Sequence, residues 1–88
     1  MEREIKDVTG GVRKSSERRL VMYNSNEHTF GDAIYSIWLA TGYEEIQCEQ
    51  LTLLIDMKGS AVIKMGDTEE LKPMLEILLS DGFDAEIL

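Results

Sequence analysis

SAVIKMGDTEELKPMLEILLSDGFDAEIL, Ser60–Leu88, holds a strand, a helix and a second strand, punctuated by glycines. Ser60–Met65 is short, apolar and β-branched at Val62 and Ile63, the composition of a strand. After Gly66, Leu71, Met74, Leu75, Leu78 and Leu79 recur at helical spacing, so a helix is expected from about Thr68 to Ser80. Gly82 is its stop. The closing FDAEIL alternates, with Phe83, Ala85 and Ile87 on one side and Asp84 and Glu86 on the other. That is the pattern of a strand with one solvated face. Pro73 falls inside the helix. It has no N–H to donate, so it should bend the first turn or delay the start of the helix.

Two more helices and a strand lie upstream. One helix is expected from about Glu44 to Lys58, with Gln47, Leu51, Leu54 and Ile55 on one face and Gly59 after its end. Glu44 and Glu45 at its start and Lys58 at its end suit the helix dipole. Before it, Phe30, Ile34, Ile37, Trp38 and Thr41 recur at helical spacing behind Thr29, a good cap, and ahead of Gly42. Trp38 reads as core. Ser25–Thr29 is polar and turn-like, and RLVMYN, Arg19–Asn24, reads as the first strand. The order β-α-α-β-α-β predicts an α+β two-layer sandwich, a three-stranded antiparallel sheet with three helices. Residues 1–17 lack a sustained period and carry Gly-Gly and Ser-Ser pairs, so they read as a flexible tail before a domain at 18–88.

Composition narrows the function. Eighty-eight residues make one domain, burying about 60–65% of its unfolded surface. Seventeen acidic side chains against nine basic ones give a net charge of −8, which argues against a nonspecific nucleic-acid or anionic-membrane binder. The charge is split: residues 1–19 hold six basic and four acidic groups, whereas residues 20–88 hold three lysines and thirteen acids. One cysteine, Cys48, excludes an internal disulfide and a Cys-based zinc site, and no apolar run is long enough to span a membrane. With no apolar signal segment in MEREIKDVTGG, the chain reads as cytoplasmic.

Catalytic readings find little support. Lone His28 reads as a surface loop residue. Cys48 reads as a half-buried apolar position with no histidine nearby in sequence. Glu44/Glu45 and Glu69/Glu70 are adjacent, so each pair diverges around a helix. There is no phosphate-binding glycine loop. No enzyme chemistry, metal or cofactor is expected.

Arg19–Trp38 (RLVMYNSNEHTFGDAIYSIW) and Leu51–Ile87 share three pieces in a fixed order: YN-x-x-x-x-TF at Tyr23–Phe30, Lys58-Gly59, and ELKPM at Glu70–Met74. Together they resemble ClpS-type adaptor proteins over residues 19–87. The resemblance implies the same β-α-α-β-α-β fold and no catalysis. It also implies binding to the N-terminal domain of a Clp-family AAA+ unfoldase, and a pocket for cargo proteins whose first residue is bulky and apolar. The tail would serve in handing cargo over.

A pocket of that kind has a plain chemical requirement. A protein's first amino group is a cation with three donors, so it needs converging acceptors, preferably anionic, beside an apolar hole. The resemblance supplies Asn-Asp-Asp after the first strand and a histidine near the end of the second helix. Asn24 matches the Asn, but Ser25 and Asn26 are neutral and Asp56 stands at the histidine position. Thr29 completes the polar side, and Gly31, Ile34, Thr52 and Phe83 occupy wall positions. Gly31 and Thr52 are smaller than the family's apolar residues. Two lost charge-assisted bonds, each worth about 1.5–3 kcal/mol, would weaken binding by roughly two to four decades. Asp56 could return one carboxylate from the opposite wall. The resemblance also places Asp67, Glu70 and Lys72, at the start of the third helix, against the unfoldase. The competing reading is a non-catalytic interaction module whose acidic surface binds another partner, without recognition of N-terminal residues.

Overall fold

The elements follow in the expected order: β1 (Arg18–Tyr23), α1 (Phe30–Thr41), α2 (Glu45–Lys58), β2 (Ser60–Gly66), α3 (Thr68–Ser80) and β3 (Ala85–Ile87). This computed structural model describes residues 17–88, so the expected tail falls almost wholly outside the described residues. β1 is the central strand of an antiparallel sheet ordered β2-β1-β3. Its central place explains why Leu20, Val21 and Met22 are all buried in succession. Leu20 pairs with Ile87 and Lys64, and Met22 with Ala85 and Ala61. The register slips between Leu20 and Val21, leaving Ile63 as the extra residue of a β-bulge. The Tyr43 hydroxyl donates to the Ile63 carbonyl at 2.9 Å, so the irregular spot keeps a hydrogen bond.

The helices cover one face of the sheet, and Leu20, Met22, Ile37, Ile55, Ile63, Leu71 and Leu78 close the core between the layers. On the other face Val62 and Met65 stay exposed, and the Tyr23 hydroxyl bonds the Glu86 carboxylate. That contact, followed by burial and the Glu86 charge, raises the Tyr23 pKa.

Packing chose different helix faces from those read in the sequence. On α1 the buried residues are Ala33, Ser36 and Ile37, while Phe30 is exposed and Trp38 is 49% exposed rather than in the core. On α2 they are Cys48, Thr52 and Ile55, and Gln47 and Leu54 face water. The physical reason is the same in both. Each helix has apolar side chains around most of its circumference, and the side carrying small residues lets helix and neighbour approach closely. α3 keeps its expected stripe at Leu71, Met74, Leu75 and Leu78, with Leu79 exposed.

Pro73 does not delay α3, which starts at Thr68. Proline at this position frees the Glu69 carbonyl four residues back. Both residues lie on the exposed side of the helix, where water can donate to that oxygen. β3 is shorter than the alternating run: Phe83 belongs to the turn after α3, its N–H bonded to the Leu78 carbonyl at 3.1 Å.

Candidate functional site

Where β1 ends, backbone bonds dictate what the polar loop overlooks. The Tyr23 N–H donates to the Asp84 carbonyl and the Asn24 N–H to the Gly59 carbonyl, both at 2.9 Å. Asn24–Asn26 is thereby pinned between the start of β3 and the end of α2. The C-terminal half of α2 presents Thr52, Ile55 and, one turn after Thr52, Asp56 to the same space. The loop closes on itself as well, with the Glu27 N–H donating to Ser25 Oγ at 3.2 Å. Thr29 then starts α1 through a capping box: Thr29 Oγ1 accepts from the Asp32 N–H at 3.1 Å, and Asp32 Oδ2 accepts from the Thr29 N–H at 3.0 Å. The Thr29 backbone donor, then its hydroxyl, hold the Asp32 carboxyl below the usual carboxylate range.

The fourth side of the space comes from the turn after α3. Gly82 takes φ 91°, its N–H bonds the Leu79 carbonyl at 3.0 Å, and Phe83 bonds the Leu78 carbonyl. This is a Schellman ending, which turns Phe83 back toward the core, where it is 4% exposed. His28 stacks on Phe83, with ring centroids 4.1 Å apart and planes 29° apart. Its Nε2 lies 3.0 Å from the Asp81 carbonyl oxygen and its Nδ1 2.8 Å from Ser25 Oγ.

These parts enclose a cleft of about 290 Å³. That is at the small end of ligand pockets, which run roughly 300–1,000 Å³, and suits one side chain rather than a large molecule. The floor is apolar: Met22, Ala33, Ile55, Phe83 and Thr52, whose hydroxyl is already donated to the Cys48 carbonyl at 2.8 Å. The rim carries the polar residues Asn24, Ser25, Asn26, His28, Thr29 and Asp56, with Tyr23 and the exposed Phe30 beside them. Asp56 is the one carboxylate among the lining residues, and the side chains of Asn24, Asn26 and Asp56 make no hydrogen bond to another described residue.

Seven of the eight residues expected around a cargo N-terminus line this cleft: Asn24, Ser25, Asn26, Thr29, Thr52, Asp56 and Phe83. Ile34 does not, and neither does Gly31. Helix residues step by about 100°, so the wall position belongs to Ala33, on the Ile37 side of α1. Ile34 and Gly31 instead line a second groove of about 390 Å³ with Tyr35, Trp38 and Glu45. Besides Ala33, sequence reading missed His28, since its partners Asp81 and Phe83 lie more than fifty positions away. The available signal was its place immediately before the Thr29 cap, where a side chain is directed by the entry of the chain into the helix.

Asp67, Glu70 and Lys72 are exposed, but they do not all face one way. Asp67 is the cap of α3, its carboxylate accepting from the Glu70 N–H at 2.9 Å. Glu70 turns toward β2, with its carboxylate 3.5 Å from Lys64 Nζ. Lys72, two positions further on, points to a different side of the helix.

The fold can now be placed among known proteins. The structure of Agrobacterium tumefaciens ClpS2 bound to L-phenylalaninamide is similar, with a TM-score of 0.66 and 12% sequence identity over 83% of this chain and 98% of that one. At such identity the likeness speaks for the fold alone. No curated protein matches the chain in sequence. The family described as ATP-dependent Clp protease adaptor protein ClpS matches residues 13–83, most of the sequence, and the chain therefore belongs to the ClpS family of Clp protease adaptors.

Proposed function

We propose that this adaptor holds a cargo protein by its first residue in the cleft between the β1–α1 loop, α2 and Phe83, and presents it to the N-terminal domain of a Clp-family AAA+ unfoldase. The protein performs no chemical step itself. The observation that carries this reading is the pairing of an apolar floor with a rim of oxygen atoms and a single carboxylate, Asp56. An ammonium group and the apolar side chain beside it need just such a pair of surfaces. The rim is weaker than one with two acids, because Ser25 and Asn26 offer only neutral acceptors. Cargo is therefore bound loosely, and the cation rests mainly on Asp56. The start of α3 is the proposed unfoldase surface, its exposed charges Asp67, Glu70 and Lys72 spread over more than one side of the helix.

Fluorescence anisotropy with labelled peptides tests the cleft. Peptides beginning with Phe or Leu should bind weakly, an acetylated peptide or one beginning with Gly should not bind, and Asp56→Asn should lower the affinity about tenfold or more. Ser25→Asp and Asn26→Asp together with Asp56→His should tighten binding. Equal binding of free and acetylated peptides would remove the first-residue reading. For the second surface, a calorimetric titration with an unfoldase N-domain should show Glu70→Lys with Lys72→Glu weakening association about tenfold. Unchanged affinity would move the docking surface elsewhere.

A further inference from the structure

The geometry points to His28 as a positioning residue that makes the neutral Ser25 a hydrogen-bond acceptor at the mouth of the cleft, suited to an N-terminal ammonium. This rests on the first-residue reading above and names a residue that reading does not use. His28 Nε2 faces the Asp81 carbonyl at 3.0 Å. A carbonyl has no hydrogen to give, so Nε2 carries the proton, and in a neutral ring Nδ1 is then the acceptor. Ser25 Oγ lies 2.8 Å from Nδ1, so the serine hydroxyl donates to it. The Glu27 N–H occupies one lone pair of the same oxygen at 3.2 Å. The only hydrogen on Ser25 is committed and one lone pair remains. An ammonium, with three donors and no acceptor, meets the right polarity.

A protonated His28 reverses the arrangement. Both ring nitrogens then donate, Nδ1–H takes the remaining lone pair of Ser25, and the serine hydrogen turns outward against the hydrogens of the ligand. The imidazolium also sets a second cation beside the ammonium. The ring is held in place for this role by its stack on Phe83, and Gly82 leaves it room: a Cβ there would lie 3.0 Å from Nε2. The elements around His28 carry carboxylates. Asp32 on α1 couples to it by charge, Asp81 ends α3 with its carboxylate accepting from Ser36 Oγ at 2.7 Å, Asp56 on α2 lines the same cleft, Glu27 shares the loop, and Asp84 follows Phe83. The test therefore compares variants at each pH.

The full chain is titrated with a labelled Phe-initiated peptide and its acetylated control between pH 7.0 and 5.5. A free α-amino group, with a pKa of about 7.7–8, is charged across this range, and His28 is the only histidine. Wild-type affinity should fall about tenfold between the neutral and the protonated form of His28. His28→Phe, which keeps a ring on Phe83, should bind weakly with no pH slope. His28→Gln, which retains a donor and an acceptor but cannot ionise, should recover part of the affinity, also without slope. Ser25→Ala should cost about tenfold at pH 7.0, and Ser25→Ala with His28→Phe should cost no more than either alone, because the two act as one unit. Nitrogen NMR of the single histidine should show the Nε2–H form at neutral pH. A proton on Nδ1 overturns the inference, as does acetylation-sensitive binding whose pH slope survives in His28→Phe and His28→Gln. If wild type shows no acetylation-sensitive binding at all, the first-residue reading itself falls and this inference falls with it.

Discussion

Gly82 shows how much of the cleft can depend on one residue without a side chain. Its φ of 91° lies where an L-residue costs roughly 1–2 kcal/mol, and that conformation is what turns Phe83 under the cleft. An added Cβ would also meet His28 Nε2 at 3.0 Å and Cε1 at 3.2 Å, closer than ordinary contact. Gly59 has a nearly identical φ of 90°, but a Cβ there meets nothing within 4 Å. The two positions separate backbone strain from crowding. Gly59→Ala should lower the free energy of urea unfolding by about 1–2 kcal/mol. Gly82→Ala should lower it further and also reduce binding in the cleft by displacing His28. Equal losses at the two sites would mean that the His28 ring yields freely and is not held as described. The sequence marks Gly82 as a helix stop, but it hides His28, because the stack on Phe83 and the bond to Asp81 are made between chain segments and leave no local pattern.

Element boundaries were legible because they are written in local chemistry. Thr29, Gly42, Gly59 and Gly82 mark caps and stops through hydrogen bonds to their own neighbours, and these stand where the sequence places them. Helix orientation was less legible. In FGDAIYSIWLAT two apolar stripes compete, and only packing against the rest of the molecule selects Ala33, Ser36 and Ile37 over Ile34 and Trp38. That rotation also decides the site, since it brings Ala33 into the cleft and takes Ile34 out. The cap of α1 carries a pH signature whose sign follows from linkage. The bonds from Thr29 depress the Asp32 pKa in the folded state. Its contribution to stability is therefore complete above the unfolded value of about 3.9 and is lost as pH falls through the lower folded value. Asp32→Asn should be less stable than wild type near pH 6, and the gap should narrow as pH falls below about 4. Urea midpoints at several pH values check this, and a gap independent of pH would show that the carboxylate charge has no part in the cap. Thr29→Ala, which removes the other half of the box, should cost about 1 kcal/mol near pH 6 and less below about pH 4, because the lost hydroxyl also helps to depress the Asp32 pKa.

Over the described residues, a thin core sits beneath a surface that mixes large apolar side chains with acids. Trp38, Tyr35, Ile46, Leu53 and Met57 are all exposed, while residues 20–88 carry thirteen acids against three lysines. Composition shows the charge but cannot say which apolar side chains stay outside, because that depends on which helix faces meet. Two single-copy residues report on the outcome. Cys48 is fully buried between α2 and the rest of the core, and burial pushes its thiol pKa up. Both effects oppose the thiolate that alkylating reagents need. Iodoacetamide at pH 8 should therefore label Cys48 only through opening of the domain, at a rate that rises with urea along the unfolding transition. Trp38, the one tryptophan, should behave oppositely. At 49% exposure its emission should be quenched by acrylamide in the folded protein nearly as efficiently as after unfolding. The alternative helix rotation, with Trp38 inside, predicts the reverse: strong protection of the indole that is lost on unfolding. Fast native labelling of Cys48 together with a shielded Trp38 would mean that α1 and α2 pack by the larger of their two apolar stripes, and Ala33 and Thr52 would then no longer belong to the cleft.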